Sequence, residues 1–481
     1  MISQDLMAPI MFGGLIVFLL IGYPAAFSLG AVGLFFSFIG IEMGMFQPTF
    51  LQALPDRVFG ILSNDLLLSI PFFTFMGAIL EKCGLAEDML EGLGQLFGPV
   101  RGGLAYAVII VGAILGAITG TVAASVIAMG LISLPIMLRY GYNPRVATGV
   151  IAASGTITQL IPPSLVLIVL ADQLGKSVGD MYAGAIGPSI IQVALFCLFI
   201  FFLSIFRPQD VPALPPEARP KINWKLFKKI LWGIVPSIAL IFLVLGTILM
   251  GLATPTEGGA MGSVGALILA AMNKRLQKTL VWDAMTSTMR INAMVIFILI
   301  GSTVFGLAFR GVDGDLWIEH LLSGLPGGQV GFLIVVNLFV FFLAFFLDYF
   351  EIAFIIIPLL APVAQKLGID LIWFGVLLGA NMQTSFMHPP FGFALFYLRG
   401  VAPKSVKSSD IYYGALPWVG LQLILVAIII FIPETVTYFI DKPAIAVDVN
   451  AISVDPLAGV EQNEITVDSS ADIERQLREN K

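Results

Sequence analysis

Ser154-Gly155-Thr156-Ile157-Thr158-Gln159-Leu160-Ile161-Pro162-Pro163-Ser164 and Asn381-Met382-Gln383-Thr384-Ser385-Phe386-Met387-His388-Pro389-Pro390-Phe391-Gly392 both set small polar side chains and a double proline inside otherwise apolar runs. In lipid this is costly. Proline removes a backbone donor and breaks the helix, and no water is present to satisfy the freed carbonyls. Broken backbone is tolerated at membrane depth where it is buried in protein or lines a cavity. Two such breaks in matching places point to the binding site of a transporter.

The composition supports a membrane setting. Of 481 residues, 58% are apolar and 12% charged. Apolar runs near the roughly 20 residues that span a bilayer recur along most of the chain, without the alternation a barrel requires. An all-α polytopic membrane protein is therefore expected. Residues 8–40 lack a basic leader and a small-residue cleavage site and read as a retained membrane segment. Residues 441–481 hold nine acids and four bases, so most of the formal charge of −6 sits in a tail that reads as disordered. Cys83 and Cys197 have no neighbour at metal or disulfide spacing. Two histidines, His320 and His388, are too few for a haem pair or a three-histidine zinc site. An enzyme, in particular a membrane redox subunit, is disfavoured.

The chain repeats its own grammar. Residues 102–138 are too long for one straight crossing and carry Gly120 and Thr121 in their middle, which reads as a helix unwound at mid-membrane. The first double-proline segment follows, with two arms that each look too short to cross, so a hairpin entering and leaving on one side is expected over about 146–170. In the second half Asp348-Tyr349-Phe350-Glu351 takes the place of Gly120 and Thr121, and a second hairpin is expected over about 371–399. Each double proline is followed by a Tyr-Gly-Ala-like sequence, at Tyr182 and at Tyr413. Residues 207–230, rich in proline and bases, read as a cytoplasmic linker. The expected organisation is a first repeat over 1–206 and a second, inverted one over 231–440.

The residues suggest a cargo. Ser154, Gly155 and Thr156, with carbonyls freed by the break, are hard neutral oxygen ligands for a small cation, and Gly120 and Thr121 would form the facing wall. Half-helix N-termini aimed into such a cavity suit a carboxylate. Asp348 and Glu351, three apart, should lie on nearly one helix face. An acid at the bilayer centre costs roughly 2.5–3.5 kcal/mol, so it is kept with a partner or for a purpose. Gln159, Gln383 and His388 add hydrogen-bonding groups near the two tips. Glu257, in Thr254-Pro255-Thr256-Glu257, reads as structural, tying a helix end to neighbouring backbone.

Ile151-Ala152-Ala153-Ser154-Gly155-Thr156 leading to Ile161-Pro162-Pro163-Ser164, Thr254-Pro255-Thr256-Glu257, Ile70-Pro71-Phe72-Phe73, and Asn381 with Pro389-Pro390 and Gly392 together resemble the large membrane subunit of tripartite ATP-independent periplasmic (TRAP) transporters, in the branch labelled for mannitol or chloroaromatic compounds. The resemblance covers roughly residues 1–440. It implies a sodium-coupled elevator in the bacterial inner membrane, with a scaffold, a moving transport domain and two re-entrant hairpins. It implies two protein partners, a periplasmic substrate-binding protein and a small four-helix membrane subunit, and neither an organic cofactor nor nucleic acid. Sodium would be held among Gly120, Thr121, Ser154, Gly155, Thr156, Asp348, Asn381, Ser385 and Gly392. A small organic acid or related polar solute would sit among Gln159, Pro163, Ser164, Glu351, Gln383, Thr384, His388 and Pro390. Departures from the family pattern cluster here: Thr158 and Gln159, Asp348 to Glu351, Ser385 and His388. A free-standing sodium/carboxylate symporter of the divalent-anion type is the alternative.

Overall fold

The computed structural model describes residues 4–219, 224–389 and 392–440. The linker residues 220–223, Pro390, Phe391 and the acidic tail 441–481 lie outside the described residues, and with them the expectations placed on Pro390 and on tail disorder. Every regular element among the described residues is helical. Six helices of 18 or more residues are long and apolar enough to cross a membrane. Large apolar side chains such as Phe201, Phe206, Trp282, Leu338 and Phe342 are exposed on the outside of the bundle, as a lipid-facing surface requires.

The two repeats share one element order. In the first, Ser69–Glu81, Leu85–Leu96, Gly103–Thr119, Val122–Arg139, Pro144–Thr156, Leu165–Leu174 and Val178–Phe206 follow one another. In the second, Lys278–Gly311, Gly314–Ser323, Gly328–Leu343, Tyr349–Lys366, Leu371–Met382, Phe393–Val401 and Ser408–Phe431 do the same, with a bend of 53° inside 349–366. The early helices exchange partners between repeats. Ala25–Glu42 packs on Lys278–Gly311, and Pro255–Met272 packs on Ser69–Glu81.

Here the structure corrects the expected hairpins. The segment that turns back is Gly103–Arg139. Its ends meet where the Tyr142 hydroxyl accepts from Leu104 N at 3.3 Å, and both ends lie against the linker, with Gly102 N donating to Val211 O at 2.9 Å and Asn143 N to Asp210 O at 3.0 Å. Its tip is Gly120, whose φ of +62° reverses the chain in a region that glycine reaches without strain. The double-proline segment runs on instead. Pro144–Thr156 begins at the linker end, where Arg145 pairs with Asp410, and Leu165–Leu174 finishes at the far end, where a Cβ on Gly375 would meet Leu174. The physical reason is length. Arms of 13 and 10 residues, each too short alone, together supply roughly one bilayer thickness at about 1.5 Å per residue.

The second repeat is built the same way and upside down. Gln329 Nε2 donates to Leu367 O at 2.7 Å, so Gly328–Lys366 turns back, with its tip over 344–348. That base lies at the far end, because the next helix begins beside the last turns of Ser408–Phe431, with Trp373 Nε1 on Ile429 O at 2.9 Å. Leu371–Met382 and Phe393–Val401 then return the chain to the linker end. One hairpin opens to each end of the bundle, so the repeats are inverted. They also interlock. The second arm of each broken crossing packs on the returning arm of the other repeat's hairpin.

Candidate functional site

The first break lies over Thr156 to Ser164. Pro144–Thr156 is fixed by the Asn143 side chain, which accepts from Arg145 N, and it passes into a short turn, Ile157–Gln159. Past the prolines, joined by a cis peptide, Ser164 caps Leu165–Leu174 by accepting from Val166 N and donating to Gln159 O. The returning segments are hairpin 1, over residues 103–139, and hairpin 2, over residues 328–366, and hairpin 1 presses backbone against this break. A Cβ on Gly112 would stand 2.6 Å from the Ser154 Cβ, one on Gly116 3.0 Å from Thr158, and one on Gly120 3.9 Å from Leu165. Gly120 thus faces the break as the tip of a hairpin and not as part of an unwound crossing, and Thr121 follows it as the N-cap of Val122–Arg139. Ser154 Oγ and Gln159 Oε1 are buried and have no hydrogen-bond partner. Thr156 donates to Ala153 O at 2.9 Å, and Thr158 to Gly155 O at 2.7 Å.

The second break keeps the register and changes the chemistry. Ser154 and Asn381 each stand eight residues ahead of their double proline, and Thr156 and Gln383 each stand six ahead. Asn381 Nδ2 donates to the backbone and side-chain oxygens of Asn337 on hairpin 2, at 2.7 and 3.0 Å, which leaves Asn381 Oδ1 buried and unpartnered. Ser385 Oγ and Gln383 Nε2 are likewise unpartnered, while Thr384 donates to Asn381 O. His388 is 2% exposed. Its ring stacks on Phe345 at 4.1 Å and meets Phe341 edge-on at 4.5 Å, and neither ring nitrogen has a partner. Gly392 N donates to His388 O at 2.7 Å.

Asp348 and Glu351 do not share a helix face. Asp348 is the N-cap of Tyr349–Ile355, and the pair closes a capping box, with Glu351 N on Asp348 Oδ1 at 2.9 Å and Asp348 N on Glu351 Oε2 at 3.1 Å. Two half-buried acids are held at the hairpin 2 tip by satisfying otherwise orphaned backbone donors. Glu257 makes the same box with Thr254, which is the structural role read for it.

The two breaks touch. Met387 Sδ lies 3.6 Å from Thr156 Oγ1 and 3.7 Å from Gln422 Nε2. Gln422, Gln192, Asn337 and Met387 escaped the sequence reading. An amide inside an apolar run that reads as a plain span was the available signal for the first three. A cavity of about 760 Å³ opens toward the far end between the outer helices and the interlocked core. Arg57, Asn64, Asp172, Arg310, Glu319 and Lys366 are among the residues that line it, and the breaks do not. Across it Asn64 Nδ2 donates to Asp172 at 2.7 Å, and Lys366 pairs with Glu319 at 2.5 Å.

Chemically, each break offers neutral oxygens in a water-poor interior, a set that suits a hard monovalent cation, and the second adds amide and imidazole nitrogens that suit a polar solute. Comparison with known proteins identifies a transporter component. Residues 12–435 match the family described as "Tripartite ATP-independent periplasmic transporter, DctM component". The C4-dicarboxylate TRAP transporter large permease protein DctM of Rhodobacter capsulatus is 29% identical over 89% of this chain and 97% of its own. The isethionate TRAP transporter permease protein DctMQ of Oleidesulfovibrio alaskensis is 26% identical over 90% of this chain and 66% of its own. The sialic acid TRAP transporter permease protein SiaT of Haemophilus influenzae is 25% identical over 88% and 66%. In fold, the chain is similar to the crystal structure of the Alcanivorax borkumensis YdaH transporter, with a TM-score of 0.56 at 15% identity, covering 79% of this chain and 86% of that one. The chain belongs to the tripartite ATP-independent periplasmic transporter family as its large, multi-pass membrane permease component, a transporter subunit and not an enzyme.

Proposed function

We propose that this subunit couples sodium entry to import of a small organic acid or related polar solute across the bacterial inner membrane. A periplasmic binding protein delivers the solute, and a small four-helix membrane subunit buttresses the outer helices. One observation carries the reading: at the two breaks Ser154 Oγ and Asn381 Oδ1, in matching register, and Ser385 Oγ at the second are buried without partners. An unsatisfied buried oxygen is expensive, on the order of 1–3 kcal/mol, unless something occupies the place beside it. Sodium, as cargo, is held by these oxygens, by the Gly155 carbonyl, which keeps a lone pair beside the bond it accepts from Thr158, and by carbonyls around Gly120, Thr121 and Gly392. Solute lies between the breaks, against Gln159, Ser164, Gln383, Thr384 and His388, with Glu351 at the edge. The relatives named above are labelled for C4-dicarboxylates, isethionate and sialic acid, all organic anions.

Movement follows the interlocked core. Two hairpins and two broken crossings that hold one another slide as one body against the outer helices, past the polar cavity and its bridges Asn64–Asp172 and Glu319–Lys366. Reconstituted with both partners, the subunit should take up solute only under an inward sodium gradient and only with the binding protein present. Uptake that survives removal of the gradient contradicts sodium coupling. Uptake that survives removal of the binding protein favours the free-standing symporter.

A further inference from the structure

The last helix of each repeat carries one buried glutamine, and each reaches across to the other repeat. Gln192, on Val178–Phe206, donates through Nε2 to Gln383 Oε1 at 2.8 Å. Gln422, on Ser408–Phe431, donates through Nε2 to Thr156 Oγ1 at 2.9 Å. The acceptors occupy the same register, six residues ahead of their proline pairs and two residues after the unpartnered Ser154 and Asn381. Both glutamines are fully buried, and the Oε1 of each has no partner. A buried amide with one end unsatisfied is a poor choice for packing alone. Its placement twice, by an inverted pseudo-symmetry, at the end of the first arm of each break ties the amide to the geometry of the break.

We propose that Gln192 and Gln422 are a pair of positioning residues that hold the two breaks at the spacing needed for cation binding, each repeat bracing the site of the other. The proposal rests on the sodium reading given above. Gln422 fixes Thr156, and through Thr156 the turn that presents the Ser154 and Gly155 oxygens. Gln192 fixes Gln383, and through it the turn that presents Asn381 and Ser385. Because Met387 rests on both Thr156 and Gln422, the first brace also senses the second break. Outer-shell hydrogen bonds of this kind typically change ion affinity by about 10- to 100-fold when removed.

The test uses the purified full-length chain in detergent, its thermal unfolding midpoint being followed while sodium chloride replaces choline chloride at constant ionic strength. Gln422→Met and Gln192→Met fill the same space without an amide donor. Each is expected to need about tenfold more sodium for half of the stabilising shift, while the sodium-free midpoint stays close to that of the unaltered protein. Gln422→Leu and Gln192→Leu, a second apolar replacement without the donor, are expected to move the same way. An unaltered protein indifferent to sodium removes the sodium reading and this proposal together. A normal sodium response in the unaltered protein with an unchanged half-point in the variants removes this proposal alone. Failure of both variants at either position to fold makes the glutamine a packing contact and also overturns it.

Discussion

At the first break the facing hairpin presents glycine backbone, whereas at the second, at the same register of an inverted copy, the facing hairpin presents an amide and aromatic rings. At the first, Ser154 faces Gly112 and Thr158 faces Gly116, with Gly120 at the tip. At the second, Asn381 faces Asn337, and His388 sits between Phe341 and Phe345. Inverted duplication supplied two equivalent frames, and side-chain size then divided the chemistry. Close backbone approach suits a small ion that is recognised by carbonyl and hydroxyl oxygens. A site that also offers His388, Gln383 and Glu351 suits a solute with several polar groups. Under the proposed function, substitutions at the first break should weigh more on ion preference and those at the second more on solute preference.

Substitutions sharpen that division. The largest effect belongs to Ser154→Ala, which removes an unpartnered buried oxygen from the tight site. Losing a bond to a charged group costs roughly 1.5–3 kcal/mol, so the sodium concentration for half-maximal uptake should rise by tenfold to a hundredfold with the solute dependence intact at saturating sodium. An unchanged sodium dependence would remove Ser154 from the ion site. His388→Ala should do the converse. Solute half-saturation is expected to move by about tenfold, the value of one good polar contact, with the sodium curve unchanged; equal movement of both curves would erase the distinction between the breaks. Glu351→Gln is the smallest. A glutamine oxygen can still accept from Asp348 N, so the capping box and the unfolding midpoint should persist while solute dependence shifts modestly, whereas Glu351→Ala should cost about 1 kcal/mol through loss of the box. Wild-type uptake by Glu351→Gln would leave the carboxylate a helix cap only.

Much of this architecture is legible in the sequence. Apolar runs, the double prolines, their shared register and the duplicated order are all visible without coordinates, as is the structural role of Glu257. Two features are not. A polar kink between two short apolar helices looks the same whether the chain turns back or carries on, because direction after the break is set by partners distant in sequence. Tyr142 against Leu104 and Gln329 against Leu367 settle it, and neither contact has a local signature. The bracing glutamines are hidden for a related reason. Gln192 and Gln422 sit inside runs apolar enough to read as plain spans, and their purpose appears only when the opposite repeat is brought alongside. Asp348 and Glu351 show the limit of spacing arguments, since three residues apart describes a shared helix face and a capping box equally well.

The central structural claim, that 103–139 and 328–366 turn back while 144–174 and 371–401 cross, is open to one direct measurement. Single cysteines replace the exposed Arg139, Lys176, Lys366 and Lys404, one at a time, in a background with Cys83 and Cys197 removed, and are labelled with a membrane-impermeant maleimide in intact and in inverted vesicles. Arg139→Cys and Lys404→Cys should react from one face, and Lys176→Cys and Lys366→Cys from the other. Labelling of positions 139 and 176 from the same face would make the double-proline segment the returning hairpin and contradict the fold described.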